Sequence, residues 1–266
     1  MTTYHVGGLN PIHRTKTLSE ALKLASVDDT IILHKSIDES VSIKKPITIK
    51  GNGHKWTVKS GTLGASIDSP VILEDIQFIV GGRANAIVAD APITASNLTI
   101  KIIGPVMAFY PIIFLRKGSH IFENCVLTGL TSDDDTQTTF DNCTFYSYYG
   151  PHIETSDRSE CSMIRGNAII NGGYIWSSTF YDVDINNSII GKFVRVQDAR
   201  LHNILLSDDV PDSYKPYIIR EKDLRKEPTR GPLSNTTNNS YHVYGTGKIH
   251  INNYQSDEID DDTLGF

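Results

Sequence analysis

The chain has little of what would narrow its role quickly. Only 3 cysteines occur in 266 residues, too few for a disulfide framework, and no histidine joins them at the spacing of a zinc site. No metal or other cofactor is expected. No apolar run is long enough to cross a bilayer as a helix, and Met1 to Val6 lack the cationic, then apolar, layout of a cleaved signal peptide. The expected location is therefore the cytoplasm, or a virion or phage particle. Positive charge is scarce too: 25 Lys and Arg stand against 31 Asp and Glu, a net charge of -6 with no basic stripe. That argues against nucleic acid bound mainly through its phosphates. Helix signals are confined to one stretch, in which Thr17-Leu18-Ser19-Glu20 forms a capping box and Leu18, Ala21, Leu22 and Ala25 form one apolar stripe.

What the chain has instead is a recurring phrase: Asn, or once Asp, followed by a small or apolar residue, any residue, then a large apolar one. It occurs at Asp75, Asn97, Asn124, Asn142, Asn167, Asn187 and Asn203, with successive spacings of 22, 27, 18, 25, 20 and 16 residues. Such irregular spacing suits one coil of a solenoid whose loops vary in length. Asn is the non-glycine residue that best tolerates a left-handed backbone, which a tight bend between strands requires. Positions one and three after the Asn should point inward, and stacked Asn side chains should bond along the ladder. Cys125 and Cys143 share the same place in consecutive copies. They should stack about 4.8 Å apart as buried free thiols rather than a bridge.

Short alternating strands are expected at Thr2 to Val6, Thr30 to His34, Ser40 to Ile43, Ile47 to Lys50 and Trp56 to Val58. The predicted organisation is a cap with a short amphipathic helix over 1–28, a stacked-strand body over 29–209, and an irregular cap or oligomerisation appendage over 210–256. An acidic tail over 257–266 follows. Tyr241 to Tyr244 and Lys248 to Asn252 read as a hairpin-like pair around Gly245-Thr246-Gly247.

The runs Asp29 to Leu33, Ile37 to Ile43 and Pro46 to Gly53 resemble the opening coils of the pectin lyase-like superfamily. Within it they are similar in wording to pectinesterases and to sugar-binding and sugar-hydrolysing modules. The resemblance implies an all-β fold: a right-handed, single-stranded parallel β-helix of roughly eight coils with an N-terminal capping helix. It also implies a surface that handles carbohydrate, and it directs attention to outward acids.

Sugar-cleaving enzymes need a protonated acid beside an ionised base or nucleophile. The catalytic candidates are Asp208 and Asp209 with His202, and the cluster Asp133, Asp134 and Asp135; Asp182 with Asp184 forms a further acidic pair. Arg165, Arg195 and Arg200 are available as bases for a lyase. The family wordings that would accompany such chemistry are missing: no Gly-His-Gly, no Trp-Ile-Asp-His, and a Gln197-Asp198-Ala199 that matches only half of the pectinesterase pair. A binding role needs less, since aromatic rings stack on sugars and polar groups take their edges. Tyr146, Tyr148, Tyr149, His152, Tyr174, Trp176 and Tyr181 are the candidates for it. The expectation is a non-catalytic recognition or structural protein, of phage-tail or cell-surface type, that binds a glycan or protein on one outer face, as a homo-oligomer, trimer or dimer. A glycoside hydrolase or polysaccharide lyase is the alternative.

Overall fold

The structure, a computed structural model, describes residues 1–8, 12–103, 111–146, 162–176, 178–191, 194–206 and 244–256. Among them the protein is all-β apart from one short helix. Twenty-three strands join one sheet, and every strand pair in it is parallel. Parallel neighbours cannot be joined by a tight hairpin, so the chain must travel away and come back between them.

It does so in three rows. One row begins at Val41–Ile43 and continues through Leu63–Ile67, Asn85–Ala89, Ile113–Leu115, Leu130–Ser132 and Ser162–Ile164. A second passes from Ile47–Lys50 through Val71–Glu74, Ile93–Ser96 and Gly118–Glu123 into Thr136–Phe145. The third runs from Lys55–Val58 through Gln77–Gly81 and Thr99–Ile103 to Val126–Leu127. Further along the strands continue through the bends, so that Thr136–Phe145, Asn167–Ile175 and Ser178–Asn186 each serve two rows and Arg195–Leu206 serves all three.

The bend between the second and third rows is where the recurring phrase acts. Asp75, Asn97, Asn124, Asn142, Asn187 and Asn203 all hold φ between 50 and 53°, the left-handed region that Asn and Asp tolerate best. Their side chains bond along the stack. Asn97 Nδ2 donates to Asp75 Oδ1 at 2.8 Å, Asn142 to Asn124 at 2.8 Å, and Asn203 to Asn187 at 2.7 Å. Asn167 does not belong to this ladder, contrary to the sequence reading. It lies in a strand opposite Gln137, and the bend in its rung falls at Gly172, with φ 70°. Glycine meets the same backbone demand without a side chain, so the pattern in the letters breaks while the pattern in the backbone continues.

Inward positions fill a continuous core. Residues one and three after the bend are buried as expected: Ile76 and Phe78, Leu98 and Ile100, Cys125 and Leu127, Cys143 and Phe145. Aromatic rings stack between rungs, Trp56 on Phe78 at 5.1 Å and Phe122 on Phe140 at 5.4 Å, while Phe145 meets Phe140 and Phe180 edge-on. Cys125 and Cys143 are buried free thiols on adjacent rungs. The contact with Cys125, together with burial, pushes the Cys143 thiol up, so it stays protonated.

Helix α1, Leu18–Leu24, buries Leu18 and Ala21, and the Thr17 side chain accepts from Glu20 N as the capping box requires. The reciprocal half differs: Glu20 takes Lys16 N, and Glu39 reaches in from the following loop to accept from Leu18 N and Ser19 N at 2.8 and 2.9 Å. At the other end, residues 241–243 lie outside the described residues, and from Tyr244 on the hairpin-like reading does not hold. Tyr244–Ser256 is one continuous strand that adds a parallel rung to Arg195–Leu206, with a register shift at Gln197 and Ala199. The Gly-Thr-Gly that read as a turn is accommodated inside that strand.

Candidate functional site

The outer surface of the first row carries the densest chemistry among the described residues. Ala89, Leu115, Ser132, Ile164 and Phe180 are inward residues on successive rungs. Because side chains alternate along a strand, the residues that follow them, Asp90, Arg116, Asp133, Arg165 and Tyr181, fall on the outer side. Those two residues earlier on each strand or rung, including Val88, Phe114, Thr131 and Met163, form a parallel outer column that is half-buried.

Two arginines in this strip are held by rings. The Arg116 guanidinium lies 5.4 Å from the centre of the Phe114 ring, and its Nη1 donates to Asp90 Oδ2 at 3.2 Å. That of Arg165 lies 5.8 Å from the centre of the Tyr181 ring. Planar guanidinium groups stack on aromatic faces and keep donors free at their edges. Asp133 sits on the rung between the two arginines. Its strand is tied to the Arg165 strand by Ser132 Oγ, which donates to the Arg165 carbonyl at 2.8 Å, while Arg165 N donates back to Ser132 Oγ at 2.9 Å.

The catalytic candidates are only partly brought together. Asp133, Asp134 and Asp135 form a turn whose backbone bonds to Thr136, with Asp133 half-buried and the other two exposed. His202 is exposed on the second row, opposite Asn186 and Asn252, and so lies away from the Asp133 turn. Asp208 and Asp209 lie outside the described residues. The acidic pair is divided: Asp182 sits at a bend with φ 52°, and Asp184 accepts from Arg200 Nε at Oδ1 and from Arg200 Nη2 at Oδ2, the latter at 2.7 Å.

The aromatic platform is corrected by burial. Tyr146, Tyr174 and Trp176 are 2, 2 and 3% exposed, so none of the three presents an open ring to a ligand. The Tyr146 hydroxyl donates inward to the Ile100 carbonyl. Tyr148, Tyr149 and His152 lie outside the described residues. Tyr181 alone keeps a partly open ring among the described members of that set. Sequence reasoning weighted tyrosine density and passed over Phe114, whose Phe-x-Arg spacing puts ring and guanidinium on one face. Comparison with protein-family models, with curated proteins and with solved structures finds no match.

Proposed function

We propose that this is a right-handed parallel β-helix of the pectin lyase-like kind whose task is recognition, not catalysis, and that it binds a glycan along the outer strip of Asp90, Phe114, Arg116, Asp133, Arg165 and Tyr181. The three-row parallel pairing with left-handed bends supports the β-helix, and α1 would then close its N-terminal end. The observation that carries the binding reading is the pair of ring-held arginines flanking Asp133. Sugars need edge donors and acceptors beside an apolar surface, held rigidly enough that binding does not have to order them.

The hydrolase or lyase alternative draws on Asp90 and Asp133, two rungs apart and so about 10 Å from each other. Against it stands the contact of Asp90 with Arg116 at 3.2 Å, which already engages one of the two carboxylates that such chemistry would have to turn toward the sugar. Self-association is part of the proposal: Ile72, Ile121 and Ile169 lie exposed on alternate rungs of the second row, with Thr94 and Thr139 between them.

The test is an oligosaccharide array with product analysis, run on the wild type and on the Phe114→Ala/Arg116→Ala double variant. Saturable binding that the double variant loses, without released products, is the expected result. Cleaved products would replace this reading with the enzymatic one. Silence on the array would leave a protein partner.

A further inference from the structure

Away from that strip, at the start of the sheet, His5 Nδ1 lies 2.9 Å from His34 Nε2. His5 belongs to the strand Thr3–Val6 and His34 directly follows Asp29–Leu33, its parallel neighbour. The two rings are tilted by 38° with centroids 5.1 Å apart, so they meet nitrogen to nitrogen and not face to face. His34 is exposed and His5 half-buried.

We propose that His5 and His34 form a two-histidine site for a divalent first-row transition cation, with water completing its coordination. Imidazole nitrogens bind such ions at about 2.0 to 2.1 Å. Two ligands at that distance and at right angles lie about 2.9 Å apart, and a tetrahedral ion asks for about 3.3 Å. The observed separation already matches the first geometry and needs only a small opening for the second. A cation of this class takes the place of the hydrogen bond between the rings, so the two imidazole nitrogens serve as its protein ligands and no carboxylate is needed.

The surroundings fix the pair. The backbone of Gly8 passes so close that a Cβ there would meet the His34 ring at 3.0 Å and the His5 Cβ at 3.3 Å. The His34 amide donates to the Val6 carbonyl at 3.0 Å, which locks the rung. Positions of ring nitrogens set by backbone rather than by long side chains cost little to order on binding. Hard cations such as Mg²⁺ or Ca²⁺ prefer oxygen ligands and should not compete. Arg14, the register partner of His5, and the neighbouring Lys35 add positive charge, which should keep the affinity modest.

The experiment is isothermal titration of the full chain with Ni²⁺, Zn²⁺ and Mg²⁺, beside His5→Asn, His34→Asn and His13→Asn, with circular dichroism to confirm that each variant is folded. The expected result is one saturable site for Ni²⁺ and Zn²⁺, none for Mg²⁺, and a loss of about tenfold or more in affinity in each of the first two variants, since even ligand-orienting changes cost 10- to 100-fold. His13→Asn should bind as the wild type does. Absence of saturable Ni²⁺ or Zn²⁺ binding by the wild type overturns the proposal, whatever the variants do. So does unchanged affinity in a folded His5→Asn or His34→Asn.

Discussion

Asn142 donates its side-chain amide to Asn124 Oδ1 at 2.8 Å while both residues hold a left-handed backbone, φ 50 and 52°. One residue type thus meets two demands at once, a bend that most side chains resist and a polar edge that would otherwise be left to water. Asn124→Ala loses both. The left-handed backbone costs an ordinary residue about 1 to 2 kcal/mol, and the lost bond about 1 kcal/mol. Asn124→Gly keeps the backbone and loses only the bond, so urea denaturation should rank wild type above Gly and Gly above Ala. Equal losses in the two variants would mean that the bend is not what Asn supplies.

The amides that open α1 depend on a residue far along the chain. Glu39 accepts from Leu18 N, Ser19 N and Ser19 Oγ, each at 2.8 to 2.9 Å, and its charge suits the positive end of the helix. Glu39→Ala should destabilise the protein by about 1 to 2 kcal/mol, as loss of a helix cap does. Glu39→Gln, retaining one acceptor, should cost less. Hydrogen exchange at Leu18 and Ser19 should rise first and most; protection that stays at wild-type level there would remove Glu39 from the capping role.

How far this was legible in the letters follows from what kind of constraint each feature answers. The bends at Asp75, Asn97, Asn124, Asn142, Asn187 and Asn203 were legible because a local backbone demand selects one or two residue types, and the burial of Ile76, Leu98 or Cys125 followed from alternation. Gly172 was missed because it satisfies the same demand without the same letter. The candidate strip is poorly legible for a different reason. Phe114 meets Arg116 through short spacing, but Arg165, Tyr181 and Asp133 converge only through register between rungs whose loops differ in length. Tyr146, Tyr174 and Trp176 misled because aromatic density does not say whether a ring is covered, and these three are buried.

Gly173 offers a sharper test of that register. It holds φ 87°, and a Cβ there would collide with the carbonyl oxygen and amide nitrogen of Cys143 on the rung before. Both are backbone atoms of a central strand and cannot step aside cheaply. Gly53, with φ 72°, faces open space. Gly53→Ala should therefore cost only the backbone strain, about 1 to 2 kcal/mol, whereas Gly173→Ala should cost more than that or prevent folding. Thermal unfolding of the two variants side by side makes the comparison. Similar midpoints would show that the strands from 136 to 145 and from 167 to 175 are not paired in this register.

His120 gives the fold a pH dependence with a definite sign. The ring is 1% exposed, its Nδ1 accepts from Ile93 N at 3.3 Å, and Nε2 has no hydrogen-bond partner among the described residues. Burial pulls its pKa down from 6.5 to about 4, with the Lys117 backbone as a smaller, opposing influence. The unfolded chain therefore binds a proton near pH 6.5 that the folded chain refuses until about pH 4. Stability is complete above pH 6.5, falls as the pH drops through that window and levels off below it, a loss of about 3 kcal/mol from this one group. Asp29, held below the usual carboxylate range by bonds from Ser26 N and Thr2 N, adds its own loss only at lower pH, as the acid range of carboxylates is reached. The two are separable with His120→Phe, which removes the proton-binding group while keeping a ring in the site. Urea midpoints from pH 7 to pH 4 should fall steeply for the wild type and much less for the variant. Parallel slopes would mean that the buried imidazole is not what makes the protein sensitive to acid in this range.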